Sequence, residues 1–137
     1  MRELIYAYKV LYIIPTGQNP SGATLSMERR KQVYQIAQEH NLLILEDDPY
    51  WFLRMKPYKS STETDSTVNS EGELRSLFSM DVDGRVIRFD SYSKVASAGI
   101  RIGVVSGPKA IIEKIQLVQQ GTTLHPSGIS QAMLAGM

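Results

Sequence analysis

This 137-residue chain lacks cysteine, a long apolar run and an excess of either charge. Without cysteine, disulfide bonds and thiolate metal sites are excluded. The balance of 15 basic and 14 acidic residues gives no electrostatic reason to expect nucleic acid or an anionic membrane as a partner. No apolar run approaches the ~20 residues that cross a bilayer, and residues 1–4 show neither a signal-peptide nor a transit-peptide pattern. We therefore expect a soluble protein of one domain at most.

The order of apolar runs in the first part of the chain predicts a βαβ unit. Residues 10–14 are rich in β-forming side chains and stop at Pro15, and residues 42–45 are a continuous apolar run of strand length. Between them apolar residues recur at helical spacing, with Ser26 as a candidate N-cap and Asn41 suited to the left-handed position after the helix. Strands joined in this way lie parallel and deliver their polar residues at the same edge of the sheet.

A polar segment separates this unit from the rest of the chain. Residues 59–73 are mostly Ser, Thr, Glu, Asp and Asn with almost nothing to bury, which predicts a flexible surface insertion. We expect regular structure to resume at Leu74, Leu77 and Phe78, which fall on one short helical face. Residues 86–89 form the next predicted strand.

The remainder of the chain continues the alternation of strands and helices. Residues 102–105 predict a further strand, and Pro108 suits the first position of a helix that follows it. Ile111, Ile115 and Val118 lie on one face of that helix. This alternation is typical of an α/β fold.

Polar residues follow each of the first three predicted strands. Asn19 comes after the first strand, Asp47 lies in an acidic cluster after the second, and Lys94 ends the exit loop of the third. Because ligands of open α/β sheets bind at the carboxyl ends of strands, we expect these groups to converge on one crevice. An amine, an acid and an amide donor are what a pyridine-aldehyde cofactor requires, since the amine condenses with the aldehyde and the acid keeps the ring nitrogen protonated.

Phosphate-binding groups surround the lysine. Ser91 and Ser93 precede Lys94 with single-residue spacing and offer hydroxyl groups, and Arg101 follows seven residues after the lysine with a bidentate cation. The Asn19 amide would donate a hydrogen bond to the ring oxygen of the cofactor, and Tyr50, three residues after Asp47, would supply a second donor to that oxygen. The sequence therefore predicts a site for a phosphorylated pyridine aldehyde.

In combination these motifs resemble the central part of the pyridoxal-phosphate (PLP) aminotransferases of fold type I, class I/II. The closest likeness is to the 2-aminoadipate/kynurenine (aromatic amino acid) aminotransferases. The segments that carry it are residues 14–22, 46–53, 79–86, 90–94, 99–103 and 123–127. The resemblance implies that residues 1–137 are part of the large, cofactor-binding domain of such a transferase, an incomplete α/β unit with a mostly parallel sheet and flanking helices.

The resemblance also implies a role for each candidate residue. Lys94 matches the catalytic lysine, which forms the Schiff base with PLP and moves the proton between the substrate Cα and C4′ of the cofactor. The other cofactor-binding matches are Asp47 for the pyridinium nitrogen, Asn19 and Tyr50 for the phenolic oxygen, and Ser91, Ser93 and Arg101 for the phosphate. The implied reaction is transamination of an aromatic amino acid, kynurenine or 2-aminoadipate to its 2-oxo acid, with a second 2-oxo acid accepting the nitrogen, in a homodimer.

Several alternatives stay open. Family members are much longer than this chain, so we expect an internal piece that is poorly stable alone and has little or no turnover. It would then act as a non-catalytic interaction or dimerisation piece, or belong to a PLP lyase or decarboxylase, since cofactor-holding residues do not choose the reaction. An effector domain of bacterial regulators is a further alternative. We expect a cytoplasmic location, with a mitochondrial one open because a targeting segment would precede the true N-terminus.

Nearby residues also have simpler interpretations. Asp47 and Asp48 lack the further ligands of a metal pair, so we expect no metal site, and Asp48 is better interpreted as a structural acid near the crevice. Trp51 and Phe52 are interpreted as core or substrate-wall residues.

Overall fold

A computed structural model describes residues 9–54 and 74–137, so the predicted insertion at 59–73 lies outside the described residues. The strands and α-helices are, in chain order, β1 (Val10–Ile13), α1 (Met27–Glu39), β2 (Leu43–Asp47), β3 (Val86–Ser91), β4 (Gly103–Ser106), α2 (Lys109–Gly121) and α3 (Gly128–Ala135). Short 3-10 helices cover Trp51–Leu53, Phe78–Met80 and Ala98–Ile100. None of the helices in the described ranges is long and apolar enough to cross a membrane.

The strands form one sheet in the order β1-β2-β3-β4. The first three strands are parallel, and β4 pairs antiparallel with β3. Because parallel strands end at the same edge, the segments that leave β1, β2 and β3 all start from one side of the sheet. The predicted α/β fold with a mostly parallel sheet and flanking helices is confirmed.

Helix α1 forms where the sequence predicts it and covers one face of the sheet. The Ser26 hydroxyl accepts a hydrogen bond from the Arg29 N–H at 3.3 Å, and Asn41 has a φ of 50° just beyond the helix. Tyr34 and Ala37 are buried against a core that includes Ile44 of β2, together with Leu42, Leu77 and Val86. The predicted βαβ unit is therefore present, and its helix is held mainly by this apolar contact.

Strands β2 and β3 both extend into their polar ends. The sequence predicts strands at 42–45 and 86–89, whereas the observed strands are Leu43–Asp47 and Val86–Ser91. Asp47 pairs with Phe89, and Ser91 pairs with Gly103. Apolar content underestimates strand length here because a polar residue at a strand end keeps its backbone partners while its side chain reaches the edge of the sheet.

The first residues of the second described range, from Leu74 to Met80, do not form the single short helical face that the sequence predicts. Leu77 is fully buried, Phe78 is 37% exposed, and Leu74 precedes the short 3-10 helix at Phe78–Met80. The Glu46 carboxylate accepts hydrogen bonds from the N–H groups of Leu77 and Phe78 at 2.8 and 2.9 Å. This long-range contact, which helical periodicity does not contain, sets the local backbone.

Helix α2 starts one residue later than predicted. Pro108 is its N-cap, and Lys109 is the first helical residue. Ile111 and Ile115 are half-buried, but Val118 of the predicted apolar face is 66% exposed. The described residues therefore cover this face only in part.

Candidate active site

The segment after β1 forms one wall of the site and rests against the segment after β2. Gly17 has a φ of 56°, and a Cβ added there would lie 3.6 Å from the Tyr50 Cβ, so this backbone passes directly beside the tyrosine. The Gln18 side chain accepts a hydrogen bond from the Ser21 N–H at 3.1 Å and braces the turn. Asn19 is exposed within this turn and precedes a cis bond to Pro20. The loop contact thus brings the segment of Asn19 beside Tyr50.

Asp47 is the last residue of β2 and is half-buried. The Tyr12 hydroxyl on neighbouring β1 donates a hydrogen bond to its carboxylate. This bond, with a contribution from burial, raises the pKa of Tyr12. Tyr12 was not among the residues predicted from the sequence. The signal that could have found it is register, since Tyr12 pairs with Leu45 and Asp47 lies two residues further along the same face.

The end of β3 and the segment after it carry the serines and the lysine, with Ser91 as the last residue of the strand. The Ser93 N–H donates a hydrogen bond to the Ser91 hydroxyl at 3.2 Å, so the two hydroxyl-bearing residues form one turn. The Val95 and Ala96 N–H groups both donate to the Tyr92 carbonyl, which continues the turn past Lys94. The Lys94 side chain is exposed and has no hydrogen bond or ion pair among the described residues.

Arg101 approaches the same edge from the segment before β4. Its φ of 55° is in the left-handed region, directly after the short 3-10 helix at Ala98–Ile100. The Tyr92 N–H donates to the Ile102 carbonyl at 3.1 Å, which joins the lysine turn to this segment. The guanidinium is exposed, and its one hydrogen bond among the described residues is to the Ala98 carbonyl at 3.5 Å. Most of its donors are therefore open to a ligand.

The four segments all lie at the same edge of the sheet, because β1, β2 and β3 are parallel and β4 is antiparallel to β3. Contacts join Asn19's loop to Tyr50, and the turn of Ser91 to the segment of Arg101. The Asp47 carboxylate accepts its hydrogen bond from Tyr12 of β1. No hydrogen bond or ion pair among the described residues joins the side chains of Asn19, Asp47, Tyr50, Lys94 and Arg101 to one another, so these side chains do not occupy each other's polar atoms.

A buried charge cluster lies beneath the site, and the sequence reasoning missed it. Its members are Arg30, Glu46, Asp48 and Arg88, of which all but Arg88 are completely buried. The Arg88 Nη1 atom lies 3.2 Å from the Asp48 Oδ2 and 3.6 Å from the Glu46 Oε2. Arg88 also binds Asp90 at 2.7 Å. Period-two alternation from Ile44 would have placed Glu46 and Asp48 together on the face of helix α1, because alternate strand residues share a face.

The buried charge cluster makes direct contact with the segments that carry the site residues. The Arg30 Nη2 atom donates to the Pro15 carbonyl at 3.1 Å and to the Thr16 hydroxyl at 2.9 Å, so a helix residue anchors the start of the loop that carries Asn19. Asp48 directly follows Asp47 and is completely buried, in agreement with its interpretation as a structural acid. The cluster therefore holds the start of the segment after β1 and the start of the segment after β2.

Burial has a clear electrostatic effect on the two acids of the cluster. It raises the pKa of Glu46, against the opposing effect of the N–H groups of Phe78 and Leu77. It also raises the pKa of Asp48, against the Thr16 hydroxyl and the two arginines. The Asp48 Oδ1 and Arg30 Nη1 atoms are buried and have no hydrogen-bond partner within the described residues.

Trp51 and Phe52 occupy different environments. Trp51 is half-buried and has the guanidinium groups of Arg54 and Arg88 at 3.6 and 5.1 Å from its ring centre. Phe52 is 66% exposed, so the alternative that it is a core residue is wrong. The cause is the 3-10 turn at Trp51–Leu53, which directs successive side chains to different sides.

The donor set of the site fits a phosphorylated pyridine aldehyde. Arg101 and the serine hydroxyls suit a phosphate, and the exposed Lys94 amine suits an aldehyde. Asp47 uses its Oδ2 atom for Tyr12 and retains Oδ1 for a protonated ring nitrogen. No member of the set has to break a salt bridge of the described structure to bind such a group.

Comparison with known proteins shows one family throughout. The family model "Aminotransferase class I and II" matches residues 7–137. An aromatic amino acid aminotransferase of Schizosaccharomyces pombe is 48% identical over 133 residues, which cover 93% of this chain and 28% of that protein. The mitochondrial kynurenine/alpha-aminoadipate aminotransferase of Rattus norvegicus is 44% identical over 128 residues, covering 93% and 27%. The crystal structure of aminotransferase Aro8 from Candida albicans has a TM-score of 0.82 and 38% identity, covering 96% of this chain and 30% of its own. This chain spans less than a third of the length of these relatives.

Proposed function

This chain belongs to the class I and II aminotransferase family, as its motifs predict, and on that premise we propose that it serves PLP-dependent transamination. In the net reaction the amino group and Cα hydrogen of one amino acid are exchanged for the keto oxygen of a 2-oxo acid, so the first substrate leaves as a 2-oxo acid and the second as an amino acid. We propose aromatic amino acids, kynurenine or 2-aminoadipate as amino donors, in keeping with the names of the relatives. Residues 1–137 form part of the large cofactor-binding domain in this proposal.

The observation that carries the proposal is the convergence of the strand exits. Parallel strands β1, β2 and β3 each end at the same edge, and their exits bear Asn19, Asp47 and Lys94 in that order. Arg101 also lies at this edge, because it stands just before the start of β4, which is antiparallel to β3. An amide, an acid, an amine and a guanidinium come from four distant segments of the sequence. They match the ring oxygen, the ring nitrogen, the aldehyde and the phosphate of one small cofactor.

Each residue has a defined task in this proposal. PLP, when bound, supplies an electron sink that weakens the bonds at the substrate Cα. Asp47 holds a proton at the ring nitrogen, and Asn19 and Tyr50 donate hydrogen bonds to the ring oxygen. Lys94 attaches the cofactor and then accepts and returns the Cα proton.

In this proposal the phosphate is bound by the turn at the end of β3 and by the segment before β4. Ser91 and Ser93 offer hydroxyl donors from a single turn, and Arg101 offers a planar fork that binds two phosphate oxygens at once. Gly99, two residues before the arginine, meets only the Ser97 hydroxyl at 3.6 Å where a Cβ would stand, so the backbone here is open on its other sides.

A labelling experiment tests the role of Lys94. The purified chain is incubated with PLP, reduced with borohydride, digested and mapped by mass spectrometry. We expect the phosphopyridoxyl group on the peptide that contains Lys94 at PLP concentrations where other lysines remain unmodified. Lys114→Ala, which removes an exposed lysine of α2, is the matched control and should leave this pattern unchanged.

Two results would contradict the assignment of Lys94. One is a label spread evenly over the exposed lysines, which would indicate only surface chemistry. The other is an unchanged total label in Lys94→Ala. Repeating the incubation with pyridoxal, which lacks the phosphate, tests Arg101 and the serines, since their proposed contribution should disappear with the phosphate.

The exposed apolar surface favours a second proposal about the chain on its own. Within the described residues Val118, Leu124 and Ile129 are 66%, 67% and 77% exposed. Surfaces of this kind are normally covered by other parts of a fold or by a partner. We therefore propose that the isolated chain has little or no turnover. A second copy, as in a homodimer, would be one way to cover this surface.

A further inference from the structure

Asp47 is held by a residue that the family motifs of this chain do not include. The Tyr12 hydroxyl donates a hydrogen bond to the Asp47 Oδ2 atom. It is the one side-chain partner of Asp47 among the described residues. Tyr12 is 57% exposed, so it does not fill the core. A tyrosine with its ring largely open and its hydroxyl on a half-buried carboxylate has a polar task rather than a packing one.

Sheet register, not loop geometry, places the two residues together. Tyr12 pairs with Leu45 across β1 and β2, and Asp47 stands two residues beyond Leu45 on the same face. Such diagonal neighbours are within reach of a long aromatic side chain. On the other side Asp47 pairs with Phe89, which offers no donor. The carboxylate therefore has one hydroxyl donor on one flank and an apolar ring on the other.

We propose that Tyr12 is a positioning residue for the cofactor-binding acid: it holds Asp47 through Oδ2, leaving Oδ1 as the acceptor for the protonated ring nitrogen. This inference rests on the proposed function. A neutral donor suits the task because it stabilises the carboxylate without cancelling the negative charge that a pyridinium needs. A lysine or arginine at this position would compete with the ring for that charge.

The chemistry of tyrosine fits this role at any pH near neutrality. The bond to Asp47 raises the pKa of Tyr12, so the phenol keeps its proton and remains a hydrogen-bond donor near neutral pH. Hydrogen bonds to charged groups contribute more than neutral ones. Tyr12→Phe removes the donor and keeps the ring, so we expect the PLP concentration for half-maximal labelling of Lys94 to rise about tenfold.

The experiment compares the chain with Tyr12→Phe and with Tyr92→Phe. Tyr92 is likewise an exposed tyrosine near the site, and no hydrogen bond of its hydroxyl is found in the described structure, so it is the matched control. The first measurement needs no cofactor: carbon-13 NMR records the resonance of the Asp47 side-chain carboxyl at neutral pH. Because the Tyr12 hydroxyl donates to this carboxylate, we expect the resonance to move in Tyr12→Phe and to stay unchanged in Tyr92→Phe.

The second measurement is the PLP concentration that half-saturates borohydride labelling of Lys94 in the three proteins. An unchanged Asp47 carboxyl resonance and equal labelling in the chain and in Tyr12→Phe would overturn the inference. If the chain itself shows no label at Lys94, the proposed function fails, and the carboxyl resonance of Asp47 still decides whether Tyr12 binds Asp47.

A reciprocal variant guards against a folding defect in Tyr12→Phe. In Asp47→Asn the negative charge beside Tyr12 is lost, so the phenol titration of Tyr12, followed by carbon-13 NMR of the ring, should move to lower pH. A midpoint that does not move would show that the two side chains are not coupled, and it would overturn the inference independently of any variant of Tyr12.

Discussion

Replacing Arg30 by methionine tests whether the buried charge cluster holds the site together. Arg30 lies on α1 with no exposed surface. It donates hydrogen bonds to the Leu25 carbonyl at 3.2 Å, the Pro15 carbonyl at 3.1 Å and the Thr16 hydroxyl at 2.9 Å. Its Nη1 atom is 3.9 Å from the Glu46 Oε1. Methionine has a similar length and fills much of the same space, but it supplies neither the charge nor the donors.

The expected cost follows from what the substitution leaves behind. Removing one partner of a buried ion pair destabilises proteins by about 3–5 kcal/mol, because the other charge remains buried without compensation. Arg88 still lies 3.6 Å from Glu46 and 3.2 Å from Asp48, which compensates in part. We therefore expect a loss near the lower limit, about 3 kcal/mol, out of the roughly 5–15 kcal/mol by which a domain is usually stable.

Arg29→Met is the matched control. Arg29 is the preceding residue of the same helix, is exposed, and has a single side-chain hydrogen bond, to Gln32 at 3.4 Å. Surface substitutions of this kind change stability by no more than about 0.5 kcal/mol. The pair of variants separates the removal of a positive charge from α1 from the removal of the buried contacts.

The loss in Arg30→Met should depend on pH in a defined direction. Burial raises the pKa of Asp48 in the folded chain, and Arg30 works against that rise. Without Arg30 the pKa rises further. An acid whose pKa is raised on folding binds more protons in the folded state than in the unfolded state, so its penalty is largest above the raised pKa and shrinks as pH falls through it. We therefore expect a larger deficit at pH 7 than at pH 5.

Urea unfolding at both pH values measures this effect. Trp51 is the one tryptophan of the chain, and its ring centre lies 5.5 Å from the Arg30 guanidinium, so its fluorescence reports on the cluster. Far-UV circular dichroism reports on the helices. If Arg30→Met is no less stable than Arg29→Met, or if its deficit is the same at pH 7 and pH 5, the electrostatic account of the cluster is wrong.

Two further predictions concern the sheet and the chain as an isolated unit. A Cβ at Gly103 would lie 2.9 Å from the Asp90 carbonyl oxygen, so Gly103→Ala should destabilise the chain by about 1–3 kcal/mol in urea unfolding, whereas Gly121→Ala, where a Cβ meets nothing within 4 Å, should not. Spectrophotometric assay of the isolated chain with PLP, an aromatic amino acid and 2-oxoglutarate should give no turnover above that of Lys94→Ala, and clear turnover would refute our proposal for the isolated chain.

Several elements of the fold could be predicted from the sequence because their signals are local. Strands β1 to β3 each overlap a predicted apolar run, and the Ser26 cap and the left-handed Asn41 bound α1 as expected. The 3-10 turn at Phe78–Met80 was not predictable in this way, because its backbone is fixed by the Glu46 carboxylate from a distant strand. Helical periodicity describes one segment and contains nothing about such a partner.

The order of the elements, and the placement of Asn19, Asp47 and Lys94 at or after the ends of strands, follow from the amino-acid sequence alone, because apolar runs and turn residues are properties of neighbouring positions. Which side chains meet across strands depends on the three-dimensional fold. The bond from Tyr12 to Asp47 depends on register, and the contact of Arg30 with Glu46 depends on how α1 lies on the sheet. A buried charge also looks like a surface charge in the sequence, since burial is set by segments that are far apart along the chain.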